Sequence, residues 1–506
     1  MTDNLSLVPA RFDAATDREY RMLIDGEWVP SASGETFRCV DPYENREWGH
    51  VPAAGAADVD SAVRAARRAF DSDGWPKTPP AQRAALLRRL ADLIEQNADE
   101  LARIQIHENG KLIGEMSRGT FMLGAHARYV AGLVENLHGQ TIDTGFPNMS
   151  TSTVREPVGV VAAVTPWNTP LGLLAWKLFP ALGAGCTLVI KPSEVTPTST
   201  LRLAELCMEA GYPKGVVNVV TGFGQTAGAA LVAHPGVDKI AFTGSTQGGR
   251  AMLRAAADRV GRVTLELGGK SPNIVFADAD LDNAVHGAMA GIFAATGQTC
   301  MGGSRLLVED SIYDEFTSRL AVAADSLRLG DPLDPKTEVG PVACRTQLNK
   351  VLEYVDIGKS EGARLLAGGV RDEGLATSQG FFVRPTVFVD VENRSRLAQE
   401  EVFGPVVAAI RFKSEDEALA LANDVDFGLA AAVWTRDMAR AQRMAHQLRA
   451  GTVWVNTYRM VHHTMPFGGF KQSGLGRELG PHALDEYTET KSIWVDLGNR
   501  QTFGRR

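Results

Sequence analysis

The sequence has few cysteines, no long apolar run and no excess of basic charge, and each shortage excludes a class of protein. Cys39, Cys186, Cys207, Cys300 and Cys344 are the only cysteines in 506 residues. They are odd in number and scattered without C-x-x-C spacing, which argues against a disulfide framework or a zinc cluster and fits thiols kept reduced. No apolar stretch approaches the ~18 residues that a membrane-spanning helix needs. Residues 1–21 are acidic and lack the basic-then-apolar order of a secretory leader, so the expected compartment is the cytoplasm. Lysine plus arginine number 52 against 60 aspartate plus glutamate, a net charge of −8, so a small molecule is a better partner than nucleic acid. Histidines are dispersed, His462 and His463 form the one adjacent pair, and no H-E-x-x-H pattern occurs, so no metal is expected. What remains is a chain 44% hydrophobic and 22% charged, long enough for two to four folded domains and without internal repeats.

The organisation follows from periodicity. Apolar runs flanking Asp25-Gly26 predict a β-hairpin, because glycine tolerates the positive φ of a two-residue turn. Helical spacing over 59–70 and 81–106 predicts amphipathic surface helices. Short apolar runs at 160–164, 187–190, 216–220, 239–242 and 263–267 lie one crossover helix apart. They show no polar alternation, which predicts a parallel sheet covered on both faces. A second series at 273–276, 305–308, 406–412, 429–434 and 452–455 predicts another α/β domain. The β-like segments 141–155 and 491–497 fit neither domain and read as edge strands that pair with each other or with a second subunit.

Three residues have surroundings suited to chemistry. Cys300 lies in Gly297-Gln298-Thr299-Cys300-Met301-Gly302-Gly303-Ser304, where glycines let backbone N–H groups approach a reacting centre. The rival reading is an ordinary loop thiol. Glu266 ends the strand pattern at 263–267, where open α/β sheets bind ligands, and partial burial would make it a usable base. Otherwise it is a solvated glutamate at a strand end. Asn168, in a turn stiffened by Pro166 and Pro170, offers an amide donor to an oxyanion or simply bonds its own backbone. Two glycine-rich turns compete for a dinucleotide. Gly222-Phe223-Gly224-Gln225-Thr226-Ala227 matches G-x-G-x-x-A but lacks the acidic residue about twenty positions on. Thr243-Gly244-Ser245-Thr246 follows a strand and opens a helix whose free N–H groups suit a pyrophosphate, and is preferred. Lys191-Pro192-Ser193-Glu194 closes another strand, and its carboxylate would repel a 2′-phosphate, favouring NAD over NADP.

Together these motifs resemble the NAD(P)-dependent aldehyde dehydrogenase superfamily over about residues 20–497. The resemblance is carried by Thr165-Pro166-Trp167-Asn168, Lys191-Pro192-Ser193-Glu194, Phe242-Thr243-Gly244-Ser245, Leu265-Glu266-Leu267-Gly268-Gly269-Lys270, Gly297-Gln298-Thr299-Cys300, Glu401-Val402-Phe403-Gly404-Pro405 and Pro466-Phe467-Gly468-Gly469. It implies two doubly wound α/β domains with a small β oligomerisation element. The cofactor-binding domain would comprise 20–135 and 156–267, the catalytic domain 268–468, and the oligomerisation element 136–155 and 483–499. Cys300 is implied as nucleophile, Glu266 as base and Asn168 as oxyanion donor in the oxidation of an aldehyde to a carboxylic acid. NAD would contact Thr165, Trp167, Lys191, Ser193, Glu194, Gly224, Ser245, Leu267, Gly268, Glu401 and Phe403. The formal fingerprint at Gly222 is then a decoy. Leu174, Trp176, Thr299, Met301 and Arg459 are implied to line the substrate tunnel, with Arg459 able to meet a carboxylate. A homodimer or homotetramer is implied. Gly302 departs from the alanine common in relatives. The presence of Glu266 favours hydrolysis over transfer to coenzyme A. A cysteine hydrolase or a catalytically silent scaffold is the competing reading, separable by NAD binding and by NADH formation.

Overall fold

The apolar runs become the inner strands of two sheets. The computed structural model describes residues 18–372 and 380–498. The acidic lead over 1–17 and residue 499 of the C-terminal β element lie outside the described residues. The first sheet has eight strands in the order Glu27–Val29, Met22–Ile24, Val217–Val219, Thr187–Lys191, Val160–Val164, Lys239–Thr243, Arg262–Glu266, Gly474–Leu475. Its central strands are parallel and its edges antiparallel. The second has seven, in the order Arg364–Ala367, Thr386–Val389, Val406–Phe412, Arg305–Glu309, Pro272–Val275, Ala430–Trp434, Thr452–Val455, parallel except for its first strand.

Both sheets are covered on both faces, and for that reason their strands read as unbroken apolar runs. Val161 and Ala163 point into one core with Leu174 and Leu178, while Val160 and Ala162 point into another with Val59 and Val63. The second sheet divides likewise, Ile274 facing one core and Val275 the other. Each fully buried aliphatic side chain contributes roughly 1.5–3 kcal/mol. The fold is therefore α/β with two doubly wound sheets.

One expectation needs correction, and one pairing left open is resolved. The helical run over 81–106 is two helices, Pro80–Gln96 and Ala98–Asn109. They are broken at Asn97, whose side chain donates to the Leu93 carbonyl at 2.7 Å. Leu87, Leu90 and Ile94 on the first of them are fully buried while Ala85, Arg89 and Asp92 on its opposite face are exposed, so it is amphipathic as expected. The two edge segments pair with each other inside one chain, Met149–Pro157 antiparallel to Thr488–Asp496 over nine residue pairs. They make a separate two-stranded ribbon.

Candidate active site

In the first sheet the strand order reverses between Val160–Val164 and Lys239–Thr243. Open α/β sheets place ligands beyond the carboxyl ends of the strands at such a reversal. A cavity of about 170 Å³ opens there, and its lining includes Trp167, Asn168, Ser245, Glu266, Cys300, Glu401 and Phe403. Residues far apart in sequence thus meet in one crevice.

Cys300 reaches the cavity along a strained path. The helix Leu281–Ile292, capped by Asp280, gives way to Ala295, Thr296 and Gly297 at φ 52°, 54° and 68°. Successive left-handed residues persist only where the surroundings enforce them. Here Glu115 accepts from the Ala295 N–H at 2.8 Å, Thr296 Oγ1 donates to the Gly340 carbonyl at 3.1 Å, and Gln298 Oε1 accepts from the Ala343 N–H at 2.8 Å. The Cys300 thiol is half-buried in the cavity wall. Burial first, then the Glu401 and Glu266 carboxylates, push it up to about 12.

Glu266 is buried, and neither of its carboxylate oxygens has a hydrogen-bond partner within the protein. Burial raises it well above the ordinary carboxylate range, the Glu478 carboxylate adds to the rise, and the Lys177 ammonium opposes it. Lys177 and Glu478 form a buried ion pair behind it, and Lys177 also donates to Thr243 Oγ1 at 2.6 Å. An orphaned carboxyl facing a cavity is a base awaiting a proton donor. Asn168 is buried, and its Nδ2 donates to the Gln298 carbonyl at 3.0 Å, two residues before Cys300. That bond uses one amide hydrogen and orients the other.

The cofactor residues divide into two groups. Trp167, Ser245, Leu267, Gly268, Glu401 and Phe403 border the cavity or lie at its rim. Thr165, Lys191, Ser193, Glu194 and Gly224 lie outside its lining, along the same sheet edge: the Thr165 N–H donates to the Lys191 carbonyl at 3.1 Å, and Lys191 pairs with Glu194 at 3.3 Å. Phe403 has φ 61° and packs edge-on against Trp167, with ring centroids 5.3 Å apart. Gln347 Nε2 donates to the carbonyls of Val402 and Phe403 and holds that strained turn. The residues fit a dinucleotide. The helix Thr246–Ala257 begins at the cavity rim with its Ser245 cap in place, a helix start suited to phosphate. The buried Thr165 hydroxyl has no partner in the protein, and Gly268 lets Glu401 lie close, since a Cβ there would be 2.3 Å from Glu401 Oε2 and would displace that carboxylate.

On the other side of the thiol, Cys300 and Met301 pack with Trp176, Phe467, Leu429 and Leu479. Thr299 is buried with its hydroxyl unpartnered. Leu174 is 1% exposed and belongs to the core, whereas the neighbouring Leu173 lines the cavity. Helix phase explains the difference, because adjacent residues on Pro170–Ala184 face about 100° apart. Arg459 has φ 62°, makes a long hydrogen bond to the Ala290 carbonyl at 3.4 Å and forms no ion pair among the described residues. Sequence reasoning missed Leu173, Lys177, Gln347, Lys350 and Glu478. Lys177 did leave a signal, being a lone charge inside the apolar run 170–184. Glu478 left none, since its role depends on contacts with residues distant in the chain.

The aldehyde dehydrogenase family model matches residues 28–493. The NADP/NAD-dependent aldehyde dehydrogenase PuuC of Escherichia coli is 47% identical over 482 residues, 95% of this chain and 96% of its own. The betaine aldehyde dehydrogenase of Bacillus subtilis is 42% identical over 473 residues, 94% of this chain and 96% of its own. The crystal structure of a betaine aldehyde dehydrogenase point mutant from Staphylococcus aureus, with NAD+ and a BME-modified cysteine, superposes with TM-score 0.94. It has 41% identity and covers 96% of this chain and 99% of that one. PnpE in complex with nicotinamide adenine dinucleotide gives TM-score 0.93 at 45% identity, covering 96% of this chain and 100% of that one. The chain belongs to the aldehyde dehydrogenase family and oxidises aldehydes with NAD through a cysteine nucleophile.

Proposed function

We propose that Cys300 is that nucleophile, Glu266 its base and Asn168 the oxyanion donor, and that the enzyme is a cytoplasmic homo-oligomer releasing a free carboxylic acid. The observation that carries the reading is the convergence of a half-buried thiol, an unpartnered buried carboxyl and an oriented amide on one cavity. A thiol held near 12 needs a base. In its ionised form Glu266 takes the Sγ proton as the S–C bond to the aldehyde carbon forms. The oxygen then becomes negative, and the Asn168 Nδ2 and Cys300 backbone N–H groups stabilise it, a preorganised donor contributing ~2.7–4 kcal/mol. Lys191, Ser193, Glu194, Ser245 and Glu401 would hold NAD, which would accept the hydride that leaves the tetrahedral carbon as the oxyanion collapses to a C=O and the thioester forms. Glu266 next draws a proton from water, which attacks the thioester; the S–C bond breaks and the acid leaves. Glu266 must pass on its first proton before it takes a second, and the buried Lys177–Glu478 pair behind it is the ionisable neighbour that would receive it. Residues 20–135 with 156–267 would carry the cofactor and supply Asn168 and Glu266, and 268–468 would form the catalytic domain that supplies Cys300. Incubation with aldehyde and NAD should yield an acylated Cys300 by peptide mass spectrometry. Turnover with no adduct at Cys300 would refute the assignment.

A further inference from the structure

Asn109, Lys111 and Glu115 take no part in the chemistry above, yet their hydrogen bonds beyond their own segment end on the turn that carries Asn168 or on the left-handed run that leads to Cys300. Asn109 Nδ2 donates to the Trp167 carbonyl at 3.3 Å, and Lys111 Nζ donates to Thr169 Oγ1 at 2.9 Å, so the turn is gripped on both sides of Asn168. Glu115 Oε1 accepts from the Ala295 N–H at 2.8 Å, at the start of the left-handed run that leads to Cys300. The segment is itself rigid. Asn109 Oδ1 accepts from the Lys111 N–H at 3.1 Å, and Gly110 is wedged so that a Cβ would lie 2.6 Å from Pro341 and 3.0 Å from Pro42. Asn109 and Lys111 are 1% and 5% exposed.

We propose that Asn109, Lys111 and Glu115 are positioning residues forming one brace that sets the Asn168 amide against the Cys300 sulfur. Thr169 supplies an independent observation. It is the N-cap of Pro170–Ala184, where a threonine oxygen ordinarily accepts from the helix N–H groups, but it makes no such bond and receives Lys111 instead. Burying an ammonium for this contact is costly, since burial lowers Lys111 to about 8. Misplacing a catalytic group by an ångström can cost ~100-fold in rate.

The brace rests on the roles assigned to Asn168 and Cys300, and a two-background comparison keeps the claims apart. Thr169→Val removes the acceptor of Lys111 and should lower kcat about 10- to 100-fold, leaving KM for NAD within about twofold. Thr169→Ser, which keeps the hydroxyl, should restore kcat to within about threefold of the parent. In an Asn168→Ala background the same Thr169→Val change should cost less than about twofold more, because no amide is left to place. Equal proportional losses in both backgrounds, or no loss from Thr169→Val alone, would overturn the brace. Full activity of Asn168→Ala by itself would instead remove the oxyanion role on which the brace depends. Should Thr169→Val fail to fold, Asn109→Ser is read in the same two backgrounds by the same criteria.

Discussion

At the scale of single residues, the cavity places a reluctant thiol beside a reluctant acid, and both reluctances can be measured. Cys300→Ala should abolish aldehyde oxidation while NAD still binds, checked by steady-state rates and by fluorescence titration of the cofactor. Glu266→Gln keeps the shape but cannot accept a proton. It should slow acyl-enzyme breakdown by ~10²–10⁴-fold and slow its formation as well, the two rates being separated by rapid quench. The same substitution tests the cost of burying the carboxyl. Burial holds Glu266 protonated in the folded protein at pH values where an unfolded chain, at the ordinary 4.5, has already released the proton. Between the two pKa values the folded state binds more protons, so stability falls as pH rises through that window. Glu266→Gln should therefore gain on the parent between pH 4.5 and the folded pKa, by about 1.4 kcal/mol per unit of separation. Urea midpoints at pH 5 and pH 8 that differ equally for both proteins would contradict this. Arg459, which the resemblance implies lines the substrate tunnel, is a half-buried cation on strained backbone without an acidic partner among the described residues. Arg459→Met should raise KM for aldehydes bearing a distal carboxylate about tenfold or more, the worth of a charge-assisted bond, and leave neutral aldehydes unchanged. Cys300 and Glu266 stood out as candidates in the sequence because a glycine-rich run and a strand end marked them, whereas Arg459 was singled out by the resemblance alone. Lys177 and Glu478 did not stand out, since a buried ion pair is defined by what faces it.

At the scale of elements, the chemistry depends on how the loop before Cys300 is folded. Gly297 has φ 68°, and a Cβ there would lie 2.1 Å from the Gly404 carbonyl oxygen. The glycine lets the thiol loop touch the turn that carries Glu401 and Phe403. Gly297→Ala meets backbone rather than a flexible side-chain end, so the two loops must separate. The expected result is a kcat loss of ~100-fold with a raised KM for NAD, because both walls of the cleft move together. Sequence periodicity found the inner strands almost to the residue, as at Val160–Val164 and Val406–Phe412, because burial on both faces writes one unbroken apolar signal. It merged Pro80–Gln96 with Ala98–Asn109, since the apolar stripe runs through Asn97 and only the cap geometry interrupts it. It also missed Gly474–Leu475, a two-residue strand defined by its pairing with Leu265 and Glu266 rather than by its own composition.

At the scale of the whole molecule, every side chain assigned to the chemistry comes from one chain, yet the ribbon of Met149–Pro157 and Thr488–Asp496 is unfinished on its own. Two-stranded ribbons are marginally stable in water unless something covers them. Here Ile493, Trp494 and Val495 are 38%, 54% and 45% exposed, and Trp494 rests on Phe146, itself 63% exposed. An apolar edge of this kind, left uncovered, invites pairing with another strand. A second copy of the chain would supply a matching edge under closed symmetry. Replacing Ile493 and Trp494 with lysine places like charges on that edge without touching the cavity. The double variant should sediment as a smaller species than the parent in analytical ultracentrifugation, and its activity per protomer should stay within about threefold, since no residue assigned to the active site belongs to the ribbon. An unchanged sedimentation coefficient would show that the ribbon does not hold copies together. A smaller species with no activity would mean that assembly shapes the cavity through the helix Pro170–Ala184, which packs against both the ribbon and the active site.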